Sequence, residues 1–173
     1  MKILSHSVDS IDRVRAQWKL ERPDLDTRPM ETVGRILRIE FLADARMRRV
    51  FQRHGIDRGG FDVLATLRRS GAPYRMTPTG LYRELVVTSG AMTNRLDVLE
   101  RDGLVERHSD PNDRRGTLIE LTGKGKAVVD RAIEVHLEGE REMVAPLSKE
   151  EQKSLAELLK KLLTGMEDQS EDA

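Results

Sequence analysis

Ser89, Gly90, Thr93 and Asn94 stand together at the head of an apolar series, Met92, Leu96 and Leu99, whose spacing buries one face of a helix. Small hydroxyl and amide groups, and a glycine that leaves the backbone bare, reach phosphate oxygens and base edges. Further on, Asp110-Pro111-Asn112-Asp113-Arg114-Arg115 sets two guanidinium groups at a tight bend. Asp followed by Pro has the chemistry of a type I turn. Asp113 and Arg115, two residues apart, are placed to pair across it, holding the Arg115 guanidinium forward for the negative potential of a minor groove. A polar helix face and a solvated surface pair would give the same letters. Together, the two segments read as a surface that grips DNA.

The elements that must carry these groups follow in order. Thr77 is a fitting N-cap and Pro78 a fitting first helical residue of a short helix to Leu85. A turn around Val87-Thr88-Ser89 leads into a helix from Ser89 to Asp102, which Gly103 stops. Leu104 to Arg107 and Thr117 to Leu121 read as strands flanking the basic bend. Helix, turn, helix and two-stranded wing is the layout of a winged helix-turn-helix. The expected DNA contacts are therefore Thr77, Ser89, Gly90, Thr93, Asn94, Asp113, Arg114 and Arg115.

The rest of the chain is helical by period. Ile11, Val14 and Trp18 mark a helix over 10–20, broken by Glu21-Arg22-Pro23-Asp24-Leu25-Asp26. Val33, Ile36, Leu37, Phe41 and Met47 stripe a long helix from Pro29 to Arg53, ended by Gly55. Asp57 to Arg69 is the next helix, with Phe61, Leu64, Ala65 and Leu67 inward. Thr122 caps a helix reaching Met143, in whose first turn Lys124 and Lys126 have the wrong sign for the helix dipole. A bound phosphate or plain surface lysines would account for them. Ser148 and Glu151 form a capping-box pattern before Leu155, Leu158, Leu159 and Leu162.

Helices 27–56 and 123–166 thus hold more apolar surface than a winged core over 57–122 requires. A helical homodimer interface is the simplest outlet, and two-fold symmetry suits a palindromic site; a monomer with a larger core is the alternative. Residues 1–26 read as an extra helix and linker, and 167–173 as an acidic disordered tail.

The 173 residues suit a mainly α fold with a small β-wing. Net charge is zero, yet residues 123–173 hold 12 acidic against 8 basic groups, which leaves a basic excess for the rest. There are no cysteines, so disulfides and thiolate sites are excluded. His6, His54, His108 and His136 lie far apart, so no metal is expected. No cofactor motif, membrane span or export signal is read, and a cytoplasmic protein is expected.

Phe61-Asp62-Val63-Leu64, the run Ser89 to Arg107, Asp110 to Arg115, and Leu121-Thr122 resemble the MarR family of transcriptional regulators over roughly residues 30–165. The resemblance implies a dimeric winged helix-turn-helix that binds a pseudo-palindromic double-stranded operator and is usually released by a small molecule. The extra Trp-bearing helix resembles the urate-responsive, PecS-like branch. That branch's ligand-response types match at Trp18, Asp62, Arg95 and Arg107. The match implies that Trp18 and Arg95 hold an anionic effector (urate or another purine, a phenolic acid, or a tricarboxylate). It also implies that Arg107 pairs with Asp62 as the relay. Arginine's planar fork and an indole face suit such a ligand. Without the resemblance, Trp18 reads as a staple of the extra helix and the two arginines as phosphate contacts.

A winged-helix module for protein interaction alone is the competing function, and an enzyme the third. Arg114-Arg115 at the wing favours DNA over the first. The enzyme reading lacks a phosphate loop, a Gly-x-Ser-x-Gly elbow or a His-Glu-x-x-His motif.

Overall fold

The computed structural model describes residues 8–85, 89–111 and 113–171, without the side chains of Ser89, Arg114, Ser170 and Glu171. The Val87-Thr88 turn, Asn112, His6 and residues 172–173 lie outside that description. The order is α1 (Ser10–Glu21), α2 (Pro29–Arg53), α3 (Arg58–Arg69), β1 (Arg75–Met76), α4 (Pro78–Leu85), α5 (Ser89–Arg101), β2 (Val105–Asp110), β3 (Asp113–Leu121), α6 (Gly123–Val144) and α7 (Lys149–Glu171). The fold is mainly α with a small antiparallel sheet, as the sequence leads one to expect. Among the described residues no helix is long and apolar enough to cross a membrane.

Two compact units divide the chain, residues 1–49 and 50–173. In the first, Asp9 caps α1 by accepting from the N–H groups of Ile11 and Asp12, while Asp12 accepts from the Asp9 N–H. From α2, Arg35 donates to Asp9 at 2.8 Å and to Asp12 at 2.7 Å. Gly34 lets Ile11 pack close, since a Cβ there would lie 3.2 Å from its side chain. Trp18 stands on α1 with 42% of its surface exposed.

The second unit holds the main apolar core. Phe51 and Phe61 stack at 4.2 Å between centroids, with His136 from α6 against both. Leu64, Leu67, Leu81, Met92, Leu96, Leu99, Val105, Ile119 and Val129 fill the space between α3, α4, α5, α6 and the sheet. Each such side chain, moved from water to the interior, contributes about 1.5–3 kcal/mol.

The sheet order is β1-β3-β2, all antiparallel. β1 is a strand that the sequence reading did not include: Arg75 pairs with Glu120 in register, and its Nε donates to the Glu120 carboxylate at 2.8 Å. The wing strands run further toward the bend than 104–107 and 117–121 because pairing continues to Asp110 and Asp113, with an irregularity at Ser109/Asp110. α7 continues as helix to Glu171, past the tail expected from residue 167. Exposed leucines line it, including Leu155, Leu158, Leu159 and Leu162.

Candidate nucleic-acid interface and anion pocket

α4 and α5 take their places from their caps and buried sides. Thr77 Oγ1 accepts from the Gly80 N–H at 3.0 Å, so this hydroxyl serves as the N-cap of α4. In α5, Met92, Leu96 and Leu99 are almost wholly buried, which turns Gly90, Thr93 and Asn94 to the surface. The amino-terminal half of α5 thus presents a bare backbone position, a hydroxyl and an amide. The expected DNA-facing groups of Ser89 and Arg114 fall among the side chains not described.

At the wing, Asp113 does not hold the Arg115 guanidinium. Its Oδ1 accepts from the Arg115 backbone N–H at 2.9 Å instead. An Asx-type bond of this kind is the shortest reach for a carboxylate two residues back. It stiffens the bend and leaves Arg115 exposed.

The far end of α5 is fixed by several bonds at once. Gly103 takes φ 69°, the left-handed conformation of a helix stop. The Gly103 and Leu104 N–H groups donate back to Glu100 and Leu99 at 2.9 and 2.8 Å. Thr122 Oγ1 caps α6 by accepting from the Gly125 N–H, and donates to the Gly103 carbonyl at 2.8 Å. Lys124 corrects the phosphate reading: its ammonium donates to the Asp102 carbonyl at 2.7 Å, where the dipole of α5 is negative. Lys126 lies 3.4 Å from Asp130.

Arg107, on β2, reaches back to α5. One guanidinium nitrogen donates to Asp97 at 2.6 Å and another to Glu100. This overturns the expected pairing with Asp62. Asp97 and Glu100 lie one turn apart on the face of α5 that meets β2, so they form the nearer acidic fork. The bond to Asp97 raises the Arg107 pKa against burial, which lowers it, and Glu100 adds to the rise.

Asp62 lies on α3, half-buried. Burial pushes its carboxyl pKa up, against the pull of Arg58, Arg95 and His136. Arg95 therefore faces the Asp62 side of α3. It also lines a cavity of about 220 Å³ between the start of α3 and α5, shared with Asp57, Gly60, Asn94, Leu99 and Asp102. Among the described residues Arg95 makes no hydrogen bond or ion pair, so its fork is open to an incoming anion. The structure thus brings Asp62 and Arg95 together, places Arg107 with other partners, and leaves Trp18 in the other compact unit. The same first turn of α3 contains Gly59, which nothing in the sequence singled out; its Cβ, if present, would meet Arg95. Among the described residues no group of three His, Asp or Glu gathers as a metal site would.

Comparison with known proteins gives a consistent picture. A model described as MarR family matches residues 54–116. The transcriptional regulator PecS of Dickeya dadantii is 41% identical over 143 residues, covering 83% of this chain and 86% of that protein. The multiple antibiotic resistance protein MarR of Escherichia coli is 38% identical over 104 residues, 60% of this chain and 70% of that one. Among solved structures, a mutant E. coli MarR complexed with operator DNA superposes with TM-score 0.68 at 31% identity, covering 80% of this chain and 99% of that chain. A MarR family regulator from Streptomyces coelicolor in complex with DNA gives 0.72 at 26% identity, covering 82% and 89%.

Proposed function

This chain belongs to the MarR family of transcriptional regulators, and from that premise we propose that it is an operator-binding regulator, acting as a repressor. In this reading it grips a pseudo-palindromic double-stranded site as a homodimer and releases it when a small anion binds. The observation that carries the reading is the surface formed by the exposed start of α5 and by Arg115 at the wing. A helix of that kind suits a major groove, and an exposed arginine on a stiffened bend suits the adjacent minor groove. Two of the structural relatives were solved with DNA bound.

The dimer reading rests on apolar stripes left exposed among the described residues. Leu37, Phe41 and Leu42 on α2, and Leu158, Leu162 and Leu163 on α7, are exposed by 41–66%. Exposed apolar stripes of this kind, each on its own helix, mark interaction sites. A second copy of the chain is the occupant that also matches a two-fold operator.

The effector reading rests on Arg95. An anion of urate size, or a related purine, phenolic or tricarboxylic anion, would compete with Asp62 for the Arg95 guanidinium. Arg95, Asp97 and Glu100 share α5, and the last two hold Arg107 of the wing. Displacing α5 therefore carries the wing with it, a relay that runs through Asp97 and Glu100.

A gel shift with DNA upstream of the protein's own gene, with and without urate, tests the reading. Specific retardation that urate reverses is the expected result. No retardation of any upstream fragment would leave the protein-interaction module as the better account.

A further inference from the structure

The first turn of α3 carries two consecutive glycines, Gly59 and Gly60, although glycine weakens helices. Gly60 has a local reason. Its N–H donates to the Asp57 cap at 2.7 Å, and a Cβ would press on that carboxylate at 3.1 Å and on Leu99 at 3.3 Å. Gly59 has a different one. A Cβ there would stand 2.6 Å from Arg95 Nε, 2.9 Å from Cζ and 3.2 Å from Cδ. The Arg95 side chain, arriving from α5, thus lies against bare backbone at Gly59. Asp62 is three residues further along, on the same helix face.

Arg95 makes no hydrogen bond or ion pair among the described residues, so beyond the attraction of Asp62 it is placed by shape. We propose that Gly59 is a positioning residue: its missing side chain forms the seat that keeps the Arg95 guanidinium at the cavity between α3 and α5, donors open to an anionic ligand. The ligand half of this inference rests on the reading of Arg95 as the effector's anchor; the seat itself does not. The atoms that a Cβ would strike belong to the outer half of a flexible side chain. Gly59→Ala would therefore leave α3 and α5 standing and move the guanidinium off its seat. Alanine at this position even favours the helix.

Two measurements on the full chain test this. In the first, phenylglyoxal labels arginines and mass spectrometry follows Arg95, with the exposed Arg101 of the same helix as internal standard. Gly59→Ala is expected to raise Arg95 labelling several-fold at an unchanged or higher melting temperature. An unchanged Arg95 rate overturns the seat. In the second, urate displaces the protein from its operator. Gly59→Ala and Arg95→Ala are both expected to need on the order of tenfold more urate, the scale of one hydrogen bond to a charged group. Operator affinity without urate is measured for each variant and serves as its own baseline. If Arg95→Ala still responds like the parent, the anchor reading fails and the labelling result stands alone. If Arg95→Ala loses the response and Gly59→Ala keeps it, the positioning role is overturned. If the parent ignores urate, the effector reading fails and the labelling decides the seat.

Discussion

Gly125 is the tightest joint between the wing and the helices behind it. It occupies the first turn of α6, and a Cβ there would fall inside the contact radius of the Leu104 carbonyl oxygen. The same atom would lie 2.9 Å from both the Leu104 carbonyl carbon and Leu121 Cδ1. Carbon atoms rest at about 3.5–4.0 Å, so the overlap is roughly 0.6–1.1 Å. Relief by rotation is blocked, because the Leu104 carbonyl accepts from Thr122 N–H at 3.1 Å and lies 3.2 Å from Thr122 Oγ1. Overpacking of this kind costs about 1–3 kcal/mol or more, and a backbone obstacle places it at the upper end. Alanine returns at most about 1 kcal/mol in helix propensity. Gly125→Ala should therefore destabilise by about 2 kcal/mol or more, or roughly 4–8 °C in melting temperature for a chain of this length. Thermal unfolding followed by circular dichroism measures it. Gly123→Ala is the control, since nothing lies within 4 Å of a Cβ at that position. A Gly125→Ala protein that melts with the parent would refute the steric argument outright.

Three further outcomes are expected. Arg115→Ala should weaken operator binding by about 1–3 kcal/mol and lower the salt slope by about one phosphate-equivalent; equal affinity and slope across a salt titration would take the wing out of recognition. Removing residues 146–173 strips away the exposed leucines of α7, and light scattering should then report monomer or aggregate instead of a soluble dimer. Asp62→Asn should raise the melting temperature at neutral pH. Burial raises the folded-state pKa above the ordinary 3.8, so the folded chain holds that proton more tightly than the unfolded one. The resulting penalty is absent below about pH 3.8 and complete once the pH exceeds the folded value. Parent and variant should converge in acid and separate as the pH rises; parallel curves would show that Asp62 carries no such penalty.

Local chemistry made most of the frame legible. Thr77, Thr122 and the Ser148–Glu151 pair each cap the helix their types suggested. Gly55 and Gly103 end helices with positive φ, and Met92, Leu96 and Leu99 face inward. What escaped depends on distance along the chain. β1 is two residues long, too short for any period, and exists because β3 offers Arg75 a partner 45 residues away. Lys124 looks misplaced on its own helix and makes sense only beside the end of another. Arg107 faces acids at several removes in sequence, and nothing in the letters says that Asp97 and Glu100 are nearer than Asp62. Gly59 reads as a weak point in a helix until Arg95 is seen against it.

The bonds that gather at Gly103 have a mechanical consequence. Thr122 and Lys124 pin one end of α5, while its other end carries the exposed Gly90, Thr93 and Asn94 proposed to meet DNA. The helix is then a lever hinged at its carboxyl end. Its 13 residues span about 18 Å from hinge to tip at about 1.5 Å per residue, and Arg95 sits near the midpoint. A displacement of about 1 Å imposed at Arg95 therefore arrives at the tip as about 2 Å. Hydrogen bonds to base edges tolerate only a few tenths of an ångström. On the proposed reading, a small anion at mid-helix need do no more than nudge α5 to break the register of the whole grip.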